Sequence, residues 1–352
     1  MGKEKTGKSA ITKLCSLCLI LVFLCSSLSG CDLSGNKDSG QIKIGITLYD
    51  QYDTFLDQLM DSFNENVTLA RKNEIDIVVS VYDASQNQST QNEQVKQMIE
   101  DGCQIICVNL VDRTDPTIII DMARNADVPV IFFNRELVES DLMQWEKLYY
   151  VGADAFESGV MQGEIAAADI LADSDIDKNG DDLIQYFVLE GEAGHQDSII
   201  RTEYAVDAIL DAGIQVDKEG YAIANWNREQ AQAKVLQVIN DGKDDIEIII
   251  ANNDDMALGA IDAYETAGVA LEDRPKIYGI DGTDEGLGAM KNKALAGTVY
   301  NDKEGQAQAL FNLAYALATD SDLSDLELID GKYIRLPYEK ITEENLEDFL
   351  DR

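Results

Sequence analysis

A chain of 352 residues, 45% of them hydrophobic, is long enough for two domains with full cores. Its 66 acidic residues against 28 basic ones leave a formal net charge of −38. So acidic a surface excludes nucleic acid, whose binding needs Lys and Arg to displace counterions. It also excludes adsorption to anionic lipid by charge alone, and describes a soluble, self-repelling surface.

The first thirty residues are different material. Lys3, Lys5, Lys8 and Lys13 precede an apolar run over 17–24, and small residues follow. A basic start, a short apolar run and a small-residue cut site describe an export signal, and the run is too short to span a membrane. Leu28-Ser29-Gly30-Cys31 resembles the bacterial lipoprotein box, in which cleavage before the Cys is coupled to its lipidation. Residues 1–30 are then a lipoprotein signal peptide, Cys31 carries the lipid, and 31–41 is a polar Ser/Gly-rich tether. The alternative is a plain secretory peptide with an incidental Cys. Cys15, Cys18 and Cys25 leave with the signal. Cys103 and Cys107 lie on one expected strand, about 13 Å apart and beyond disulfide reach, so they read as small buried hydrophobes.

Residues 42–48 alternate as a first strand, and 49–54 is a polar loop. Leu56, Leu59, Met60, Phe63 and Val67 then recur at helical spacing. Further strands are expected at 75–82, 105–110 and 128–133, with a helix marked by Val95, Met98 and Ile99 and another opened by Pro116. A second run begins near Tyr149 with a helix over about 156–171 and a strand over 185–190. It continues with strands at 214–222, 246–251 and 277–280, and helices marked by Val235, Leu236 and Ile239 and by Met256, Ala260, Ile261 and Tyr264. After Asn301 come a helix over 307–318, a strand over 333–336 and a terminal helix, too little for a third domain. Two successive sets of alternating β and α predict an α/β protein of two doubly wound parallel-sheet domains with a ligand cleft between them.

In such sheets ligands bind beyond the carboxyl ends of the strands. The residues found there are Asp53 and Phe55, Asn134, His195 with Asp197 and Arg201, Trp226, Asn253, Asp281 and Asn301. His195 is the only histidine in the chain. Carboxylates, amides, a guanidinium and two aromatics are what a pyranose requires, because each hydroxyl both donates and accepts while the ring's C–H faces want flat apolar partners. Taken singly, each residue has a plainer reading. Asp197 and Asn253 can be helix caps, Trp226 can be core, and His195 stands evenly between the two. No Gly-rich phosphate loop and no Ser-His-Asp order is present.

Seven strings decide between these readings: NLVD from Asn109, PVIFFNRE from Pro129, YYVGAD from Tyr149, GEAGHQD from Gly191, IEIIIANND from Ile246, GIDG from Gly279 and ALAGTVYND from Ala294. Through them the chain resembles the periplasmic D-galactose/D-glucose-binding proteins of bacterial ABC sugar uptake, over essentially its whole mature length. The resemblance implies the periplasmic binding protein type I fold, with residues 42–151 plus 301–333 as one lobe and 152–300 plus 334–352 as the other. The hinge is expected near Gly152, Asn301 and Arg335. It assigns the sugar to Asp53, Phe55, Asn134, His195, Asp197, Arg201, Trp226, Asn253, Asp281 and Asn301. It also implies a structural calcium on Asp177, Asn179, Asp181, the Leu183 carbonyl, Gln185 and Glu247, although Asp182 stands where the turn ordinarily has Gly. The expected protein is a monomeric, extracytoplasmic, lipid-anchored receptor without catalysis that delivers D-glucose or D-galactose to a membrane permease. A sensor feeding a chemoreceptor or kinase is the alternative. A glycosidase using Asp197 and Asp281 is disfavoured by the expectation that Arg201 and His195 keep both carboxylates ionised.

Overall fold

The structure, a computed structural model, describes residues 40–242 and 245–350. Cys31 and the expected signal peptide lie outside the described residues.

The first lobe opens with β1 (Ile42–Leu48), in which every residue but Lys43 is buried, as a strand covered on both faces requires. Next is α1 (Thr54–Lys72), burying Leu56, Leu59, Met60, Phe63 and Val67 along one stripe. Then follow β2 (Ile77–Asp83), α2 (Gln88–Glu100), β3 (Ile105–Val108), α3 (Thr117–Ala126), β4 (Val130–Phe133), the short α4 (Glu139–Leu142) and β5 (Leu148–Ala153). The second lobe contains α5 (Ala155–Ala172), β6 (Ile184–Glu190), α6 (Gln196–Asp211), β7 (Val216–Ile223), α7 (Arg228–Asn240), β8 (Ile248–Ala251), α8 (Asp254–Thr266), β9 (Lys276–Tyr278), α9 (Asp284–Lys291) and β10 (Thr298–Asn301). The chain then returns through α10 (Lys303–Ala318) and β11 (Tyr333–Leu336), and ends in β12 (Tyr338–Ile341) and α11 (Glu347–Leu350).

The first sheet has the order β11-β5-β4-β3-β1-β2, and every pairing in it is parallel. Helices α1 and α10 close one face, while α2 and α3 close the other. The second lobe has the parallel order β7-β6-β8-β9. Parallel bridges from Tyr278 to Gly297 and from Asp281 to Tyr300 lead on to β10, which pairs antiparallel with β12. Helices α5 and α6 cover one side of this sheet, and α7, α8 and α9 the other.

Sheet membership corrects the expected lobe boundaries. Gly152 and Ala153 pair with Arg335 and Leu336 in the first sheet, and Asn301 pairs with Tyr338 in the second lobe. The chain therefore crosses at Asp154, Asp302 and Pro337, the last three residues later than expected. Two of these crossings are helix caps: the Phe156 amide donates to Asp154, and the Gly305 amide to Asp302. Pro116 sits at the cap of α3, one residue before its first turn. β10, β12, α4 and α9 were not expected, whereas β11 spans the expected 333–336; β3 starts at Ile105, which leaves Cys103 outside it. Cys103 and Cys107 are both free and buried, as their spacing requires.

Candidate functional site

Each site residue sits where a strand runs into a helix. Asp53 follows β1 and caps α1: its Oδ1 accepts from the Leu56 amide at 2.9 Å and its Oδ2 from the Tyr49 hydroxyl at 2.7 Å. Two donors fix the carboxylate and leave each oxygen further accepting capacity. Phe55, in the first turn of α1, is buried. Asn134 follows β4 with φ 59°, a left-handed conformation that Asn tolerates better than most residues. Asn109 donates to its Oδ1 at 3.0 Å, which leaves the Asn134 amide hydrogens for other partners.

The second lobe supplies the rest. His195 caps α6 by accepting the Asp197 amide on Nδ1 at 3.2 Å. Asp197 lies in the first turn of α6 and is not its cap. Burial pushes the His195 pKa down to about 4, so the ring is neutral and its hydrogen sits on Nε2, a buried atom with no hydrogen-bond partner among the described residues. Arg201 is 5% exposed and donates to Ser158 Oγ (3.2 Å), the Asn252 carbonyl (2.8 Å) and the Tyr338 hydroxyl (3.1 Å). Two of the five hydrogens of a guanidinium remain. Trp226 has φ 63° and lays its indole on Gly191, where any Cβ would come within 2.2 Å of the ring. His195 meets Trp226 edge-on at 5.4 Å. Asn253 caps α8 through the Met256 amide (3.0 Å), and its Nδ2 donates to the Trp226 carbonyl at 3.2 Å.

Asp281, after β9, has φ 124° and is 5% exposed. Burial raises its pKa well above the carboxylate range, and Arg201 only partly offsets this. Desolvation at this carboxyl thus acts in the direction opposite to the one expected from Arg201 alone.

Nine of the ten expected residues line one cavity between the lobes, together with Tyr49 and Arg135. Asn301 stands behind them, its Nδ2 donating to Asp281 Oδ1 at 3.3 Å. The cavity measures about 40 Å³ on the scale where one water needs roughly 10–15 Å³. Arg135 was missed in the sequence, although it directly follows Asn134 at the same strand end. Its guanidinium lies 3.5 Å from the centre of the Tyr49 ring and reaches Glu192 of the other lobe at 2.8 Å. Further pairs join the lobes, among them Thr54 to Asp255 (2.7 Å), Lys303 to Asp284 (3.1 Å) and Arg113 to Gln196.

The candidate metal residues also come together. Asp177 accepts the amides of Gly180, Asp181 and Asp182, and Asp181 accepts that of Leu183. Asp182 has φ 64°, so the turn does need the left-handed conformation that its Gly ordinarily supplies. Glu247 reaches in from beside β8 and accepts amides from Lys178 (2.6 Å) and Gln185 (3.1 Å). The Gln185 amide spans Asn179 and Asp181. Among the described residues no three His, Cys, Asp or Glu side chains cluster as a metal site. The donors here are instead a mixture of carboxylates, amides and a carbonyl, and that all-oxygen chemistry fits a hard cation.

Two lobes with three crossings, and a polar cavity built from strand ends of both, match a known family. Residues 44–322 match the periplasmic binding protein domain. The chain belongs to this family. It is similar to the D-galactose/methyl-galactoside binding periplasmic protein MglB of Haemophilus influenzae, at 34% identity over 88% of this chain and 92% of that one. A putative rhizopine-binding protein of Rhizobium meliloti is 30% identical over 77% of this chain and 82% of that one. An ABC transporter solute binding protein of Bacillus halodurans, solved with bound myo-inositol, superposes with a TM-score of 0.74 at 30% identity, covering 90% of this chain and 99% of that one. The periplasmic binding protein fold is thus common to all, and these relatives are binding proteins, not enzymes. The family is extracytoplasmic, and among the described residues no helix is long and apolar enough to cross a membrane.

Proposed function

We propose that this periplasmic binding protein receives D-galactose or D-glucose in the interlobe cavity and presents the closed form to an ABC permease. One observation carries the reading: carboxylates, amides, two guanidiniums, the histidine and three aromatics from both lobes converge on one small cavity. Phe55 and Trp226 belong to opposite lobes and offer apolar surface for the two faces of a sugar ring. The neutral Nε2–H of His195 and the free hydrogens of Arg201 and Asn134 supply donors, while Asp53, Asp197 and Asp281 supply acceptors. A ligand touching both lobes favours closure by its differential affinity for the closed state. Calorimetry should show one-to-one binding of D-galactose or D-glucose, with ribose far weaker; binding of ribose alone would overturn the reading.

A cyclitol is the second reading, favoured by the Bacillus halodurans likeness. myo-Inositol has hydroxyls all round and no ring oxygen, so including it in the same titration separates the two. Two further elements belong to the proposal. Calcium would be held by Asp177, Asn179, Asp181, Leu183, Gln185 and Glu247, clipping β6 to β8. A lipid on Cys31 would keep the receptor at the membrane; Cys31→Ser should then abolish lipid labelling and release the protein to the soluble fraction. Unchanged fractionation would leave ordinary secretion.

A further inference from the structure

Asp254 is fully buried, follows the site residue Asn253 and lines no cavity named above. Its Oδ1 pairs with the Thr298 hydroxyl at 2.6 Å. Its Oδ2 accepts the Thr283 amide at 2.8 Å and the Thr283 hydroxyl at 3.2 Å, while its own amide donates to the Ile280 carbonyl at 2.7 Å. A Cβ on Gly279 or Gly286 would stand 2.2 or 2.3 Å from the carboxylate oxygens, so the surrounding chain closes round this group. Thr283 is two residues after Asp281, and Thr298 opens the strand that ends at Asn301. One side chain therefore ties together the segments that carry Asn253, Asp281 and Asn301.

Asp281 needs such a tie. At φ 124° a non-glycine backbone is strained, and strain of this kind persists only where the surroundings over-determine it. One side of the residue is held by β10, through its amide to the Val299 carbonyl (2.8 Å) and the Asn301 amide to its own carbonyl (3.0 Å). The other side continues through Gly282 to Thr283, whose amide and hydroxyl both end on Asp254. We infer that Asp254 is a positioning residue, a buried clasp that, without touching the ligand, aims the Asp281 side chain at it and keeps Asn301 in place behind Asp281. The inference rests on the proposed sugar site.

The test is Asp254→Ala in the full chain, with Asp254→Asn as the conservative variant, because an amide can accept from Thr283 and donate to Thr298 Oγ1 while keeping the shape. The probe is whichever of D-galactose, D-glucose and myo-inositol the wild type binds most tightly. Asp254→Ala should weaken binding about tenfold or more, since it strands buried polar partners, and Asp254→Asn should restore most of it. The loss should also be non-additive with Asp281→Asn and additive with Asp53→Asn, which lies on the other lobe. Binding by Asp254→Ala equal to wild type, or a loss fully additive with Asp281→Asn, overturns the inference. Should Asp254→Ala fail to fold, Thr298→Val removes one arm of the clasp, and its binding at wild-type strength would overturn the inference equally. If the wild type binds none of the three probes, the sugar reading has failed on its own. Amide exchange in the ligand-free protein then decides: Asp254→Asn should leave segments 279–283 and 298–301 protected and Thr298→Val should speed their exchange, whereas unchanged exchange in Thr298→Val overturns the clasp.

Discussion

Asp255 stands next to the clasp and shows how a half-buried carboxyl at the lobe boundary responds to pH. It accepts the Thr54 hydroxyl across the cleft, and burial pushes its pKa up to about 6. Asp53 and Glu285 push in the same direction, while Arg228 opposes them. The folded form therefore holds its proton more tightly than the unfolded chain. Its contribution to stability is complete below about pH 4 and is lost as pH rises through about 6. Asp255→Asn can still accept from Thr54 and has no charge to bury. Denaturant unfolding should show it gaining on wild type between pH 4 and pH 8, by at most about 3 kcal/mol; a gap that does not widen with pH would refute this. Trp226 makes the complementary case for apolar surface. Trp226→Ala removes the platform laid on Gly191, and sugar affinity should fall tenfold or more, by roughly the worth of one stacked ring and its burial.

Among the elements, the loop between α5 and β6 is stapled to β8 by Glu247. Removing calcium should lower the melting temperature, with a loss of about 2.7 kcal/mol between a hundredfold excess over Kd and none. Glu247→Gln is a poorer mimic of chelation than its ligand role suggests, because its carboxylate also accepts the Lys178 and Gln185 amides. The decisive comparison is wild type with and without EDTA across calcium levels; an unmoved melting curve would remove the metal from the proposal. Sugar affinity should change little, since the loop and His195 lie at opposite ends of β6, roughly 20 Å apart. The same scale shows what was legible. Long amphipathic helices such as α1 and apolar strands such as β1 and β6 were readable, because burial on one stripe or on both faces leaves a periodic trace. β10 and β12 were not, being four-residue strands whose pairing is made only when the chain recrosses between the lobes. α9 reads DEGLGAMK, and its two glycines hide a helix that Thr283 caps. Arg135 and Asn109 escaped because they position or rim the cavity, and their partners lie on segments distant in sequence.

At the scale of the whole molecule, the two lobes are joined by three crossings and held shut by pairs around the cleft. Arg135 is the central one, buried against Tyr49 on its own lobe and paired with Glu192 on the other, whose side chain is half exposed. Breaking such a pair acts on dissociation more than on encounter. Glu192→Gln should therefore speed sugar release several-fold in stopped-flow measurements and leave the association rate nearly unchanged; an equal fall in association would show that Glu192 acts on the open form instead. One feature of the cavity has a different use. His195 is the only histidine in 352 residues, and it sits in the cleft with its edge toward the Trp226 ring. The imidazole region of an NMR spectrum of the untagged protein then holds signals from a single residue, shifted by the neighbouring indole current. Each added equivalent of ligand is expected to move or split those lines, so occupancy can be counted without a dye, a label or an engineered cysteine.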